Sequence, residues 1–330
     1  MYTFKDYALC DIHLHLDGAL SPEVIIKIAK EENLELPSYD PIELKKYLSV
    51  TEECKSLNEY LEKFDLPNVV LQTKYGLKEA TNDLLERLAK QGLKYVEVRM
   101  APQLSTNKGL NQYEVVETLL EVINNSQEVH SIKSNLILCL MRGAPIGKNI
   151  TTVEVAKKYL GKGVVAIDLA GAEALFPNEQ HMEEFKLARY YGIPFTIHAG
   201  EASDYKSVES ALNMGAVRIG HGIHSLENPN TIKRLVENKI PLEICPTSNL
   251  DTKTVNNIHQ LRIFELLKYG VIVTINTDDP TVSDTTLADE FNLLKEMGLS
   301  IDDAKQIAIN TINSSFMSNA EKIDLINSLK

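Results

Sequence analysis

"CDIHLHLDGAL" (residues 10–20) reads as a β-strand running into a turn, and its last residues decide between two α/β architectures. An open, doubly wound dinucleotide-binding sheet places a GxGxxG phosphate loop directly after its first strand. "HLDGAL" (15–20) is not that loop. The stretch carries instead two histidines, His13 and His15, one residue apart between apolar neighbours. Residues i and i+2 of a strand share a face, so both imidazoles point to one side while Ile12 and Leu14 face the other.

Outward from this stretch, similar runs recur along the whole chain: 95–100, 134–141, 164–171, 194–200, 217–223, 241–247 and 271–278, with the first spanning 8–15. They are continuous apolar stretches rather than alternating ones, as expected of parallel strands covered on both faces. Amphipathic segments lie between them. "SPEVIIKIAKEEN" opens with Ser21 as an N-cap and Pro22 at the first helical position; "SVESALNMGA" (207–216) and "NTIKRLVENKI" (230–240) are similar, the latter with an Asn at its start as cap. Eight strands each followed by a helix predict an α/β protein with a (β/α)8 TIM-barrel fold, as a single domain over residues 1–330. The interval between His15 and Tyr95 is far longer than one crossover helix needs, which predicts extra helices between strands 1 and 2. Their apolar face (Leu57, Tyr60, Leu61, Phe64, Leu66) reads either as ordinary helix core or as a cover that excludes water from a site.

The bulk composition narrows the function. With 44% hydrophobic and 24% charged residues the 330-residue chain is an ordinary globular one. A net charge of −12 without a basic tract argues against a nucleic-acid partner, which needs clustered Lys and Arg. The start "MYTFKDYALC" has no secretory pattern, and no run approaches the roughly 18 apolar residues of a membrane span. Cys10, Cys54, Cys139 and Cys245 are scattered without CxxC spacing, which suits reduced, buried thiols in a cytoplasm.

The chemistry-bearing residues fall at the ends of the expected strands. His13 and His15 close strand 1, His198 and Glu201 strand 5, His221 strand 6, and Asp278 and Asp279 strand 8. TIM-barrel enzymes build their sites at these C-terminal ends. An HxH pair alone is weak evidence for a metal. Several imidazoles and a carboxylate meeting at one barrel mouth are costly to bury without a cation, and nitrogen and oxygen ligands suit zinc among the divalent metals. Zinc brings a coordinated water to a pKa of about 7. Glu201 can then exchange protons with a substrate, and His221 can hold or deprotonate the water. Read one at a time, Glu201 could equally be an N-cap carboxylate and His221 a hydrogen-bonded core residue. His130, His181, His224 and His259 read as surface or supporting residues, and Cys245 as packing at the end of strand 7.

"HLHLDGAL", "EVRMAP", "DLAGAE", "HAGE", "RIGHGIH", "CPTSN" and "NTDDP" occur in this order, and together they resemble the signatures of the adenosine deaminases over residues 9 to 280. The resemblance implies a (β/α)8 amidohydrolase with one Zn2+ per chain that hydrolyses adenosine and 2'-deoxyadenosine to the inosine products and ammonia, in purine metabolism. By the same resemblance His13, His15, His198 and Asp278 correspond to the zinc ligands. Glu201 corresponds to the group that protonates purine N1, His221 to the one that orients and activates water, and Asp279 to the carboxylate bonded to N7. Gly171 corresponds to a backbone N–H donor to N3, Asp17 to a residue near the ribose hydroxyls, and His15 also lies beside the substrate. The expected partner is thus a small-molecule nucleoside, with no nucleic acid, membrane or protein partner implied.

Two positions depart from the family pattern. Ala172 stands where the family usually carries an acid, and Met100 where an aromatic or other residue is common. The nearest alternatives are an adenine deaminase, whose relatives usually read "HLEG" where this chain has Asp17, and a deaminase preferring methylthioadenosine. A non-catalytic relative that only binds a nucleoside or protein is the alternative from another class, and the retained ligand set with Glu201 argues against it.

Overall fold

The eight expected strands are all present in the computed structural model, which describes residues 3–51, 54 and 56–329. They are β1 (Cys10–His15), β2 (Tyr95–Met100), β3 (Lys133–Met141), β4 (Val164–Ala170), β5 (Thr196–Ala199), β6 (Arg218–His221), β7 (Leu242–Ile244) and β8 (Val273–Ile275). All neighbouring pairs run parallel, in two four-stranded sheets of order β1-β2-β3-β4 and β5-β6-β7-β8. Parallel bridges join the sheets at both seams, Ile167 to Phe195 and Leu14 to Asp278. The second seam is a reciprocal backbone pair: His15 N–H donates to Asp278 O and Asp278 N–H to His13 O, each at 2.8 Å. The strands therefore form a ring in sequence order, and most of their apolar residues join one buried cluster that runs from Phe4 to Leu329, while Cys139 and Ala170 pack with Ala101 in a smaller one.

Several strands are shorter than their apolar runs, because the backbone turns aside where the functional residues sit. His221 (φ 57°) and Asp278 (φ 61°) are left-handed without being glycine, and Gly171 (φ 102°) follows β4 in the same region. Non-glycine residues held there cost roughly 1–3 kcal/mol and cluster at functional sites.

Helix starts follow the capping chemistry, with one adjustment. α1 (Pro22–Glu32) is capped by Ser21, whose Oγ accepts from Val24 N–H at 3.1 Å. The helix expected over 230–240 runs Pro229–Asn238, and its cap is Asn228 rather than Asn230. Pro229 has no N–H to leave unsatisfied, so it takes the first helical position and moves the cap back. The helix expected over 207–216 likewise begins earlier, at Tyr205, behind an Asp204 cap.

Between β1 and β2 lie α1, α2 (Pro41–Leu48), α3 (Leu57–Leu61), α4 (Asp65–Val70) and α5 (Lys74–Gln91). Residues 52, 53 and 55 of this interval fall outside the described set. The apolar face of α3 is not part of the main core. Tyr60 packs with Cys54 and Val282 in a satellite cluster, against which Val50, Leu57 and Phe64 lean. Leu66 alone of that face packs on the main core. Among the described residues no helix is long and apolar enough to cross a membrane.

Candidate active site

β1 delivers His13 and His15 to the mouth of the ring, β5 delivers His198, and the turn after β8 delivers Asp278. The rings of His13 and His198 lie 4.6 Å apart and those of His13 and His15 5.4 Å. Asp278 Oδ1 is 3.2 Å from His13 Nε2 and 3.5 Å from His15 Nε2. These four residues place one ligand atom each within 4.8 Å of one another.

The buried surroundings fix which imidazole nitrogens face inward. His13 Nδ1 is 2.9 Å from Glu243 Oε2, and His198 Nδ1 is 2.9 Å from Asp168 Oδ2. Burial pushes both carboxyls up, but Arg99 and Arg218 beside Glu243, and His198 and Arg99 beside Asp168, hold them well below the usual range. Ionised carboxylates only accept, so each Nδ1 carries the hydrogen. The two Nε2 atoms then meet at 3.0 Å with lone pairs facing each other. That approach is unfavourable unless a cation stands among them, and it is the arrangement in which outer carboxylates orient metal-binding histidines. Burial also keeps the His15 imidazole neutral, whereas Asp278 and Glu243 overcome burial and Arg99 to raise His13. Asp278 remains a carboxylate: burial raises it, and His13, His221 and His15 pull it well below the ordinary value. The residues present therefore fit a divalent metal.

A second set, His13, His221, Cys245 and Asp278, also converges within this distance. Cys245 was expected only to pack. Its sulfur donates to Glu243 O at 3.6 Å, and burial pushes its thiol well up, so it stays protonated and is the poorer ligand.

Around the cluster, Glu201 and His221 face each other across 3.6 Å, and His221 Nε2 lies 3.7 Å from Asp278 Oδ2. Both are buried. His221 Nε2 has no hydrogen-bond partner among the described residues, while its Nδ1 is 3.0 Å from Asn249 Nδ2. Burial lowers the His221 pKa to about 3. Burial, then the negative charges of Asp278 and Glu173, raise Glu201 well above an ordinary glutamate, so the acid form persists to higher pH. The cluster opens into a cavity of about 320 Å³, a size suited to a small ligand, lined on one side by His15, His198, Glu201, His221, Asp278 and Asp279 and on the other by Leu57, Tyr60, Leu61 and Phe64. The α3 face is thus a cover over the cavity.

Gly171 and Ala172 line the same cavity at the end of β4. Asp17 sits in the 3-10 turn Asp17–Ala19 just past β1, outside the cavity lining; burial raises its carboxyl to about 6, and its Oδ1 has no partner among the described residues. Asp279 Oδ1 is likewise unpartnered. His224, at the rim, pairs with Glu227 at 2.7 Å and lines an adjoining cavity of about 490 Å³. His181 bonds Glu184 and His130 bonds Asn82, both away from the site.

Sequence reasoning left several supporting residues unassigned. Arg99, fully buried, bridges Asp168 (2.9 Å) and Glu243, and so braces the carboxylates behind His198 and His13. Glu173 accepts from three consecutive backbone N–H groups, those of Gly200, Glu201 and Ala202, at 2.7, 3.0 and 2.7 Å, fixing the loop that carries Glu201. Ser248 donates to Asp278 Oδ2 at 2.7 Å. All lie within quoted motifs ("EVRMAP", "DLAGAE", "CPTSN"); for Arg99 a charged residue inside an otherwise apolar strand is the available signal, whereas Glu173 and Ser248 lie past their strands and carry none.

A ring of eight parallel strands with three imidazoles and a carboxylate buried at its C-terminal mouth defines a barrel protein with a site suited to a divalent metal, at the end where such barrels build active sites. Residues 8–330 match the family model described as adenosine deaminase, and the chain belongs to that family. A curated adenosine deaminase of Haemophilus ducreyi is 46% identical over 326 residues, covering 97% of this chain and 95% of the relative. Among solved structures, an adenine deaminase from Arthrobacter aurescens superposes with a TM-score of 0.87 at 28% identity, covering 97% of each chain. An amidohydrolase from Burkhoderia ambifaria with bound Zn shares the fold, with a TM-score of 0.86 at 19% identity over 98% of this chain and 90% of that one. The family match thus continues past residue 280, where the motifs end, to the last residue.

Proposed function

We propose that this chain is an adenosine deaminase, hydrolysing adenosine and 2'-deoxyadenosine to inosine and 2'-deoxyinosine with release of ammonia, as a zinc enzyme of cytoplasmic purine metabolism. The observation that carries the reading is the meeting of the His13, His15, His198 and Asp278 donor atoms beside the buried, partnerless edge of His221 and the raised carboxyl of Glu201. The names of the curated relatives favour adenosine over adenine or methylthioadenosine. The main apolar cluster, which runs from Phe4 to Leu329, supports one catalytic domain over residues 1–330.

In this reading His13, His15, His198 and Asp278 hold one Zn2+ per chain. When bound, the ion supplies Lewis-acid activation of water at neutral pH. Glu201, kept in its acid form by burial and by Asp278, donates a proton to purine N1, which draws electrons from C6 and opens it to attack. His221 orients the attacking water through its free Nε2, while Asn249 donates to Nδ1 and keeps the ring in place from the other edge. Asp279 contacts N7, the Gly171 backbone N–H contacts N3, Asp17 stands near the ribose, and His15 borders the base. Leu57, Leu61 and Phe64 exclude bulk water from the cavity.

Loss of adenosine's ultraviolet absorbance tests the substrate assignment directly. Adenosine and deoxyadenosine should turn over at comparable rates, and adenine and methylthioadenosine far more slowly; a preference for adenine would overturn it.

A further inference from the structure

The Tyr60 hydroxyl does something its ring does not need. The ring is buried with Cys54 and Val282 and meets Phe64 at 6.3 Å, packing that a phenylalanine would supply equally. The hydroxyl, however, donates to Asp279 Oδ2 at 3.2 Å and lies 2.9 Å from Ser283 Oγ. The other carboxyl oxygen, Oδ1, occupies the space over Gly18, where a Cβ would lie 1.8 Å from it. Gly18 thus leaves room for Oδ1, and the tyrosine hydroxyl is the side-chain donor that holds the carboxyl through Oδ2.

The surrounding contacts extend the same attachment. Ser49 Oγ donates to Thr281 O at 2.7 Å, Val50 N–H donates to Val282 O at 2.9 Å, and Lys45 pairs with Asp284 at 2.6 Å. Thr281 N–H in turn donates to Gly18 O at 3.0 Å. The cover built from α2 and α3 is thus docked, residue by residue, on the segment that follows Asp279. Tyr60 is its point of contact with a group facing the cavity.

We propose that Tyr60 is a positioning residue for Asp279: its hydroxyl fixes the orientation of that carboxyl, so that recognition of the five-membered-ring nitrogen of a purine depends on the cover being in place. The proposal rests on the reading of Asp279 as the N7 contact. It predicts that the hydroxyl matters only for ligands that have this nitrogen.

The test measures dissociation constants of inosine and 7-deazainosine by calorimetry on zinc-loaded wild type, Tyr60→Phe and Asp279→Ala. Loss of one hydrogen bond to a carboxyl should weaken inosine binding to Tyr60→Phe roughly three- to tenfold. Binding of 7-deazainosine, which lacks the nitrogen, should stay unchanged. Equal weakening of both ligands, or of neither, in Tyr60→Phe while Asp279→Ala still discriminates between them overturns the role of Tyr60 alone. Failure of Asp279→Ala to discriminate overturns the N7 contact and the proposal with it. Should Tyr60→Phe not fold, Ser283→Ala removes the hydroxyl's second partner and is read the same way: a smaller selective loss for inosine supports the proposal, and none overturns it.

Discussion

Glu201 and His221 approach within 3.6 Å, and their buried surroundings favour the uncharged form of each. Burial and the negative charges of Asp278 and Glu173 raise the glutamate well above its ordinary value, and burial lowers the histidine to about 3. In the proposed reaction the raised carboxyl suits Glu201 to the role of acid. Glu201→Gln should therefore lower kcat by about 10²- to 10⁴-fold. Zinc content by elemental analysis and the thermal midpoint should stay near wild type; near-normal turnover would remove Glu201 from the mechanism. Gly18 gives a second residue-scale expectation. Its position is a matter of space, since a Cβ there would strike the Asp279 carboxyl. Gly18→Ala should displace that carboxyl and reduce kcat/KM by about 10²-fold, checked by steady-state kinetics.

Among the elements, the loop after β5 shows how Glu201 is held by Glu173, a residue outside the cavity lining. Three backbone N–H groups converge on Glu173, so Glu173→Gln weakens hydrogen bonds to a charged acceptor. Unfolding by urea should show a loss of about 2 kcal/mol, with kcat falling and zinc retained. The sequence made the strands legible because each is a continuous apolar run, and it made the ligands legible because they interrupt those runs at the ends. The bracing residues were harder. Glu173 accepts from a loop 27 residues further on, and Glu243 meets His13 across a sequence separation of 230. Such long-range pairings carry no local period to read. The α3 face could be read as core or as cover, because an apolar helix face looks the same whether it packs on a barrel or closes a cavity. Cys245 lies beside the ligands for a similar reason: the end of β7 abuts β8, a neighbour relation that spacing alone does not state.

At the scale of the whole molecule, buried ion pairs join the strands beneath the site. Arg99 and Arg218, both buried, neutralise Asp168, Glu243 and Glu97 below the metal-facing histidines. Glu290 stands apart from this network. Burial raises its carboxyl to about 7, although Thr247 and Thr285 donate to it. The folded state then binds this proton more tightly than the unfolded chain, whose glutamate titrates near 4.5. Its contribution to stability is fully present below about pH 4.5 and is lost as pH rises through about 7. Glu290→Gln should flatten the fall in stability between these pH values by an amount on the order of 3 kcal/mol. Urea midpoints at pH 5 and pH 8 would show it, and an unchanged slope would mean the acid is not protonated in the fold.

The histidines of the opening stretch carry the central claim: His13 and His15, with His198 and Asp278, hold a zinc ion on which deamination depends. Chelator-treated protein, titrated back with zinc while adenosine turnover is followed, tests it most directly. The account predicts a folded but inactive protein, unchanged in far-ultraviolet circular dichroism, whose activity returns linearly and levels off at one equivalent of zinc per chain. Full activity in protein shown by elemental analysis to be metal-free would contradict it.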